Sequence, residues 1–214
     1  MRQWGDRDVA KNVVLVGTGA RIGVKMLTWL ESPNKTGLIL LLALLSLTAG
    51  LCTSVADARG QEITSELNGL EQAIHWLLRA TPRRQRQIEP QKELAVALIT
   101  AGQTYDIDPY LLLTIAYREN SLKTLGRGEL GEHGLMQVMQ PRQWNCKLDD
   151  KPLSHVLCGA SVYRRCLDKC KTKAGAMAYY MSGSMCTPPS ASHFVRMVRS
   201  RMRLYRKLKK RFGQ

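Results

Sequence analysis

The stretch IAYRENSLKTLGRGELGEHGLMQVM, which runs from Ile115 to Met139, organises the rest of the chain. It places an acid, Glu119, late in an apolar segment, and a glycine-rich connection and a short apolar run follow. The apolar residues around the acid recur at helical spacing, and they are Leu111, Leu112, Ile115 and Leu122. Burial at the end of such a face would favour the protonated carboxyl group, as a general acid requires. The alternative is a surface glutamate on an amphipathic helix.

Length and charge narrow the class of protein. The chain has 214 residues, and its 32 Lys and Arg against 17 Asp and Glu give a formal charge of +15. This length suits one globular domain with additional segments. The positive charge favours anionic partners, which include nucleic acid, anionic lipid and the acidic polymers of a cell envelope. Charge alone does not choose among them.

The segment at residues 37–56, GLILLLALLSLTAGLCTSVA, is uncharged over a length that can span a bilayer. Basic residues prevail in the tail at 1–36 and acids follow the segment, which predicts a cytoplasmic N-terminus and an exported remainder. The tripeptide at 56–58 resembles a signal-peptidase site. The segment is therefore a signal anchor or a cleaved signal, with Met1 or Met26 as the start. We expect export across the inner membrane to the periplasm.

Two regions flank the main domain. The region at 57–90 is predicted to form an amphipathic helix followed by a basic linker. Its apolar residues recur at helical spacing, and they are Ile63, Leu67, Leu70, Ile74 and Leu77. Residues 191–214 predict a basic amphipathic helix. That helix could dock on anionic lipid, bind acidic envelope polymers or nucleic acid, or pack on the domain with its basic face in solvent. The predicted export argues against nucleic acid.

The main domain, residues 91–190, is predicted to be mostly helical because it contains no convincing run of alternating strands. Asp108 can cap a helix that begins at Pro109 and carries Glu119 near its C-terminal end.

The cysteines of the main domain are candidates for disulfides or metal ligands. Five follow Cys52, and they are Cys146, Cys158, Cys166, Cys170 and Cys186. In a small exported domain they predict disulfides, and the odd count leaves one cysteine over. The pairing 146–158 with 170–186 would tie loops to helices, although the sequence leaves the pairing open. No pair has typical zinc-ligand spacing, so we expect no metal and no cofactor.

The order of motifs in the main domain resembles the lytic transglycosylase domain of the soluble (SLT) type, a relative of goose-type lysozyme. The motifs are YDIDP at 105–109, Glu119, Gly131-x-x-Gly134-Leu135-Met136-Gln137 and Tyr180-x-x-Gly183. The match covers roughly residues 91–183, less than half of the chain. With the segment at 37–56, the predicted fold is a mostly α, lysozyme-like helical domain preceded by a single membrane-spanning or signal helix.

The resemblance implies a reaction and a set of site residues. Enzymes of this family cleave the β-1,4 bond between N-acetylmuramic acid and N-acetylglucosamine in peptidoglycan and form 1,6-anhydromuramyl ends. It implies that Glu119 is the single acid and base and that Tyr180 positions it. The residues implied in substrate binding are Ser121, Gly134, Leu135, Met136, Gln137 and Gly183.

Other functions stay open at this point. A hydrolytic lysozyme would need a second acid, for which Asp149 and Asp150 are candidates. Departures from the family pattern at Asn120, Gly128 and Met181 would suit a catalytically weak wall-binding module. A DNA-binding membrane protein rests on charge alone, and we expect no nucleic acid partner. The expected partners are peptidoglycan strands, the membrane, and a secretion, conjugation or pilus apparatus or a phage assembly.

Overall fold

A computed structural model of the protein describes residues 60–80, 91–122, 127–128, 130–187 and 193–213. All of them belong to one compact unit, Ala49–Gln214. The described residues are mostly helical, as the sequence predicts. The elements in chain order are α1 (60–80), α2 (Gln91–Tyr105), α3 (Pro109–Asn120), β1 (Glu132–His133), β2 (Val138–Met139), a 3-10 helix (Pro141–Trp144), α4 (Pro152–Cys170), α5 (Lys173–Ser182) and α6 (His193–Phe212).

Three predicted regions lie outside the described residues. They are the basic tail (1–36), the membrane or signal segment (37–56) and the basic linker (81–87). None of the helices that the structure does describe has both the length and the apolar character needed to cross a membrane.

Helix α3 lies in the core. Its seven residues from Tyr110 to Ala116 are all buried, and it contacts α2, α4 and α6. The predicted start of the helix is confirmed, because the Asp108 side chain accepts a hydrogen bond from the N–H of Tyr110 at 2.9 Å and Pro109 occupies the first turn. The helix ends where Ser121 adopts a left-handed conformation.

Helix α4 forms a second layer between α2 and α5. Two disulfides connect α4 to neighbouring loops. Cys146–Cys158 joins the loop before α4 to the helix, and Cys170–Cys186 joins the end of α4 to the loop after α5. Of the pairings that the sequence leaves open, the structure has the one considered above, and Cys166 remains a free, buried thiol.

Helices α1 and α6 complete the core from opposite ends of the described sequence. In α1, three of the predicted apolar residues, Leu70, Ile74 and Leu77, are at most 1% exposed. The rings of Trp76 and Phe212 lie 6.3 Å apart. Gly69 allows the close approach of the two helices, because a Cβ atom at that position would lie 2.3 Å from the Phe212 carbonyl oxygen.

Helix α6 runs along α3 with one buried and one exposed face. Its buried residues are Val198, Arg201, Tyr205 and Leu208. Its exposed basic residues are Arg196, Arg199, Arg203, Arg206, Lys207, Lys209, Lys210 and Arg211. Of the alternatives that the sequence leaves for this segment, the structure has the helix packed on the domain with its basic face in solvent.

The chain between α3 and α4 contains a short hairpin. Strand β1 pairs antiparallel with β2, so that Glu132 is opposite Met139 and His133 is opposite Val138. Each strand has two residues, which is too short for a pattern of alternating side chains to be recognised in the sequence. The hairpin turn at residues 134–137 lies beside the end of α3.

Candidate active site

The acid that the sequence singles out, Glu119, is the second-last residue of α3. Its side chain is 20% exposed. Oε1 lies 2.8 Å from Nη2 of Arg201, which projects from α6 and is 7% exposed. The carboxylate is therefore held between the protein interior and solvent, in an ion pair rather than in a purely apolar setting.

Tyr180 approaches this carboxylate from α5. Its hydroxyl donates a hydrogen bond to the carbonyl of Met136 at 2.7 Å. Burial, together with the nearby negative charge of Glu119, raises the pKa of Tyr180 well above its ordinary value. The phenol therefore stays neutral and keeps its proton as a donor. Tyr163 packs beside it, with the two ring centroids 6.0 Å apart.

The turn at residues 134–137 is tied to the end of α3 through one carbonyl group. The carbonyl of Gly134 accepts a hydrogen bond from Nε2 of Gln137 at 2.7 Å and another from Nδ2 of Asn120 at 3.2 Å. The Asn120 amide thus joins the helix that carries the acid to the turn. The Asn120 side chain therefore holds the turn to the end of α3, and the Gln137 side chain closes the turn on itself.

Gly134 also meets a steric requirement of the turn. Its φ angle is 75°, and a Cβ atom would lie 1.8 Å from Nδ1 of His155. Nε2 of the same imidazole donates to the carbonyl of Asp149 at 2.6 Å, which fixes the ring against the turn. Glycine is therefore needed here both for its backbone conformation and for the space that the imidazole occupies.

The two apolar residues of the turn belong to the core. Leu135 and Met136 are at most 1% exposed. Met136 packs against α4 at Gly159, where a Cβ atom would lie 2.3 Å from the methionine sulfur. These side chains anchor the turn, so the groups that this segment can offer a ligand are its backbone and the half-buried Gln137.

Ser121 and Gly183 occupy helix ends. The N–H of Ser121 donates to the carbonyl of Tyr117 at 2.8 Å, and that of Gly183 donates to the carbonyl of Tyr179 at 2.7 Å. Both residues have left-handed backbone conformations that terminate α3 and α5. In the described part of the chain, neither makes a hydrogen bond to Glu119. Their local role is to end the helices that carry Glu119 and Tyr180.

The candidate second acids are held in the loop before α4. The Asp149 carboxylate accepts hydrogen bonds from the hydroxyl of Ser154 at 2.6 Å and from the N–H of Lys151 at 2.9 Å. These bonds lower the pKa of Asp149. Both Asp149 and Asp150 are exposed. Asp149 therefore stabilises the start of α4 in its ionised form.

Arg201 is the site residue that the sequence did not reveal. A signal was present, because Arg201 lies three residues after Val198 and four before Tyr205, on the apolar face of a helix. A charged residue on such a face requires a buried partner. The partner lies 82 residues away in the chain, which no local pattern indicates.

Together these residues form one site whose groups can take part in acid–base chemistry. A carboxylate with an exposed side lies near a neutral phenol and next to a turn with backbone and amide groups. Such an arrangement can donate a proton to a bound polar ligand or accept one from it. Within the described ranges, no group of three or more His, Cys, Asp or Glu residues could hold a metal ion.

Comparison with solved structures finds chains that resemble this one. The chain is similar to an inactive mutant of the lytic transglycosylase Slt from Pseudomonas aeruginosa, with 13% sequence identity and a TM-score of 0.47. The likeness covers 55% of this chain and 24% of that one. At this level it supports no statement about function. No protein-family model and no curated protein matches the chain.

Proposed function

We propose that the protein is a peptidoglycan lytic transglycosylase in which Glu119 is the single acid and base. The observation that carries the proposal is the meeting of Glu119, Tyr180 and the turn at 134–137. These segments are distant in sequence, and the turn is bonded to both: Asn120 donates to Gly134, and Tyr180 donates to Met136.

The proposed reaction uses one carboxyl group twice. Glu119 first donates its proton to the glycosidic oxygen between N-acetylmuramic acid and N-acetylglucosamine, and the bond to the anomeric carbon breaks. The resulting carboxylate then accepts the proton of the muramyl 6-hydroxyl as that oxygen bonds to the anomeric carbon. The product is a 1,6-anhydromuramyl end, and no water is consumed. One carboxyl group therefore suffices, in contrast to two-carboxylate hydrolases.

In this proposal Tyr180 holds the turn at 134–137 in position beside the acid. Its neutral hydroxyl is committed to the Met136 carbonyl, so it fixes the turn relative to the acid. The backbone of Gly134 and the side chain of Gln137 would line the glycan cleft. Ser121 and Gly183 would contribute through the helix ends that they form.

A hydrolytic lysozyme is the alternative within the same substrate class. It would require a second acid to activate water. The carboxylate of Asp149 is occupied by Ser154 and Lys151 at the start of α4, which supports a structural role for it. A catalytically weak wall-binding module of an envelope-spanning assembly is the other alternative, and both are outcomes of the test below.

The two disulfides support a location outside the cytoplasm. Disulfides persist in oxidising compartments such as the bacterial periplasm, and peptidoglycan lies in that compartment. We therefore propose that the protein acts on glycan strands beyond the inner membrane, anchored by residues 37–56 or released from them. A secretion, conjugation or pilus apparatus, or a phage assembly, is the proposed setting.

The test is digestion of purified peptidoglycan by the full-length chain beside its Glu119→Gln variant, with mass analysis of the fragments. We expect anhydromuramyl ends from the parent protein and a loss of at least about 100-fold in the variant, since general acid catalysis contributes about that much. Fragments heavier by one water would indicate a lysozyme. A folded protein that binds the wall and releases nothing would indicate a binding module.

A further inference from the structure

Arg201 holds the proposed acid from its buried side. Nη2 lies 2.8 Å from Oε1 of Glu119, and the exposed fractions of the two side chains are 7% for the arginine and 20% for the glutamate. The guanidinium therefore lies toward the interior and the carboxylate lies toward solvent. This leaves the outer side of the carboxylate for a substrate.

Contacts at both ends of α3 set the position of α6, and hence of this guanidinium. At the start of α3, Oδ2 of Asp108 accepts a hydrogen bond from Tyr205 and pairs with Nζ of Lys209, both at 3.1 Å. Beside the acid, Nη2 of Arg118 donates to Oγ of Ser200 at 3.2 Å. Together these contacts restrict both sliding and rotation of α6 along α3.

Stability alone does not account for an arginine at position 201. Arginine is almost never fully buried unless it is paired, and an apolar side chain between Val198 and Tyr205 would avoid the desolvation of a charge. Nε of Arg201 is buried without a hydrogen-bond partner in the part of the chain that the structure describes. The charge is thus incompletely satisfied, and its one described polar contact is with Glu119.

We propose that Arg201 is a positioning residue for Glu119 in glycan cleavage, so that the C-terminal helix α6 completes the active site. This inference rests on the proposed function. As Glu119 gives its proton to the glycosidic oxygen, negative charge develops on the carboxylate, and a fixed guanidinium at Oε1 stabilises that charge. The same contact limits the rotamers of Glu119, so that the carboxylate is already oriented when the muramyl 6-hydroxyl attacks.

The test compares Arg201→Met, Arg201→Lys and the control Arg203→Met in the full-length chain. Arg203 lies on the exposed face of the same helix, so the control removes one positive charge without touching the acid. The substrate is soluble, uncross-linked peptidoglycan strands, and kcat and KM are measured separately. Thermal unfolding verifies that each variant is folded.

We expect Arg201→Met to lower kcat by about 100-fold, since removal of one fixed donor at a developing charge has about that effect, with KM within about twofold. Arg201→Lys should recover part of the loss, because the charge returns without the planar fork. Arg203→Met should behave as the parent protein.

Four results would overturn the inference or its premise. An Arg201→Met variant with the kcat of the control, or with its whole loss in KM, would refute the positioning role while leaving the proposed function intact. If Arg201→Met does not fold, a folded Arg201→Lys with parental kcat and KM would do the same. A parent protein that forms no anhydromuramyl product would refute the proposed function, and the inference with it.

Discussion

The hydroxyl of Tyr110 donates a hydrogen bond to the main-chain carbonyl of Phe212 at 2.7 Å, across 102 residues of sequence. The bond joins the first turn of α3 to the last residue of α6. It lies at the opposite end of α3 from Glu119, which pairs with Arg201 near the middle of α6. The helix that carries the proposed acid is thus connected to the C-terminal helix at both of its ends.

This bond has a pH dependence that can be measured. Burial, with the nearby Glu66 and Asp108 carboxylates, raises the pKa of Tyr110 to about 12. The folded state therefore retains the phenolic proton more strongly than the unfolded state. The contribution of this pKa difference to the free energy of unfolding is fully present below the ordinary pKa of 10, and it is lost as the pH rises from about 10 to about 12.

Tyr110→Phe should lower the free energy of unfolding by about 1 kcal/mol at pH 8, since one intramolecular hydrogen bond is lost. The difference between variant and parent should shrink at pH 11, because only the parent loses the contribution of this phenol. Urea unfolding at pH 8 and at pH 11 measures this difference in the free energy of unfolding. Tyr117→Phe is the control, since no hydrogen bond of its hydroxyl is described. A difference that is the same at both pH values would contradict the expectation.

Removal of the acid should destabilise the fold through Arg201. Glu119→Gln leaves a buried guanidinium without its counter-charge, and we expect a loss of about 1–3 kcal/mol in the free energy of unfolding, below the value for fully buried pairs because Glu119 is partly exposed. The double variant with Arg201→Met should recover part of that loss. Glu93→Gln, an exposed change on α2, should fall within about 0.5 kcal/mol of the parent. An additive double variant would exclude an energetic coupling.

Gly134→Ala should lower the free energy of unfolding more than Gly131→Ala does. Both Gly134 and Gly131 have positive φ angles, but a Cβ atom meets His155 only at position 134 and meets nothing within 4 Å at position 131. Backbone strain of about 1 kcal/mol applies to both positions, and overpacking adds about 1–3 kcal/mol at Gly134 alone. Unfolding of Gly134→Ala beside Gly131→Ala separates the two effects. Equal losses would show that the contact with His155 does not constrain the turn.

Loss of the 170–186 disulfide should weaken the support of Tyr180. This bond encloses α5, which carries the phenol, and connects the end of α4 to the loop beyond α5. Replacing both cysteines by serine should cost about 2–4 kcal/mol in the free energy of unfolding. Cys166→Ser is the control without a disulfide, and the remaining 146–158 bond is intact in both variants. A double variant no less stable than this control would refute the supporting role.

Much of the helical framework could be predicted from local sequence. The Asp108–Pro109 start of α3 and the apolar face of α1 follow from capping chemistry and helical spacing. Disulfides were expected from cysteine number, whereas their pairing depends on which loops approach α4 in the folded chain. The hairpin strands were not predicted, because two residues per strand show no alternation.

The proposed acid could be found from the sequence, but its surroundings could not. Glu119 follows an apolar helical pattern, whereas Arg201 belongs to a helix that reads as a basic surface helix. The two residues pair because of the orientation of α6 about its own axis where it packs on α3. That orientation depends on the contacts of Tyr205 and Lys209 with Asp108. Such a register is a property of packing between distant segments.

The antiparallel arrangement of α3 and α6 also sets an order of events during synthesis. Translation produces residue 119 long before residue 201, and Phe212, whose carbonyl closes against Tyr110 and Gly69, comes later still. A nascent chain that ends short of α6 contains the acid but lacks the arginine that pairs with it. If the protein cleaves the wall, we therefore expect a copy cut short before residue 201 to be less active than one that includes α6, which limits the damage that incomplete copies can do to the wall.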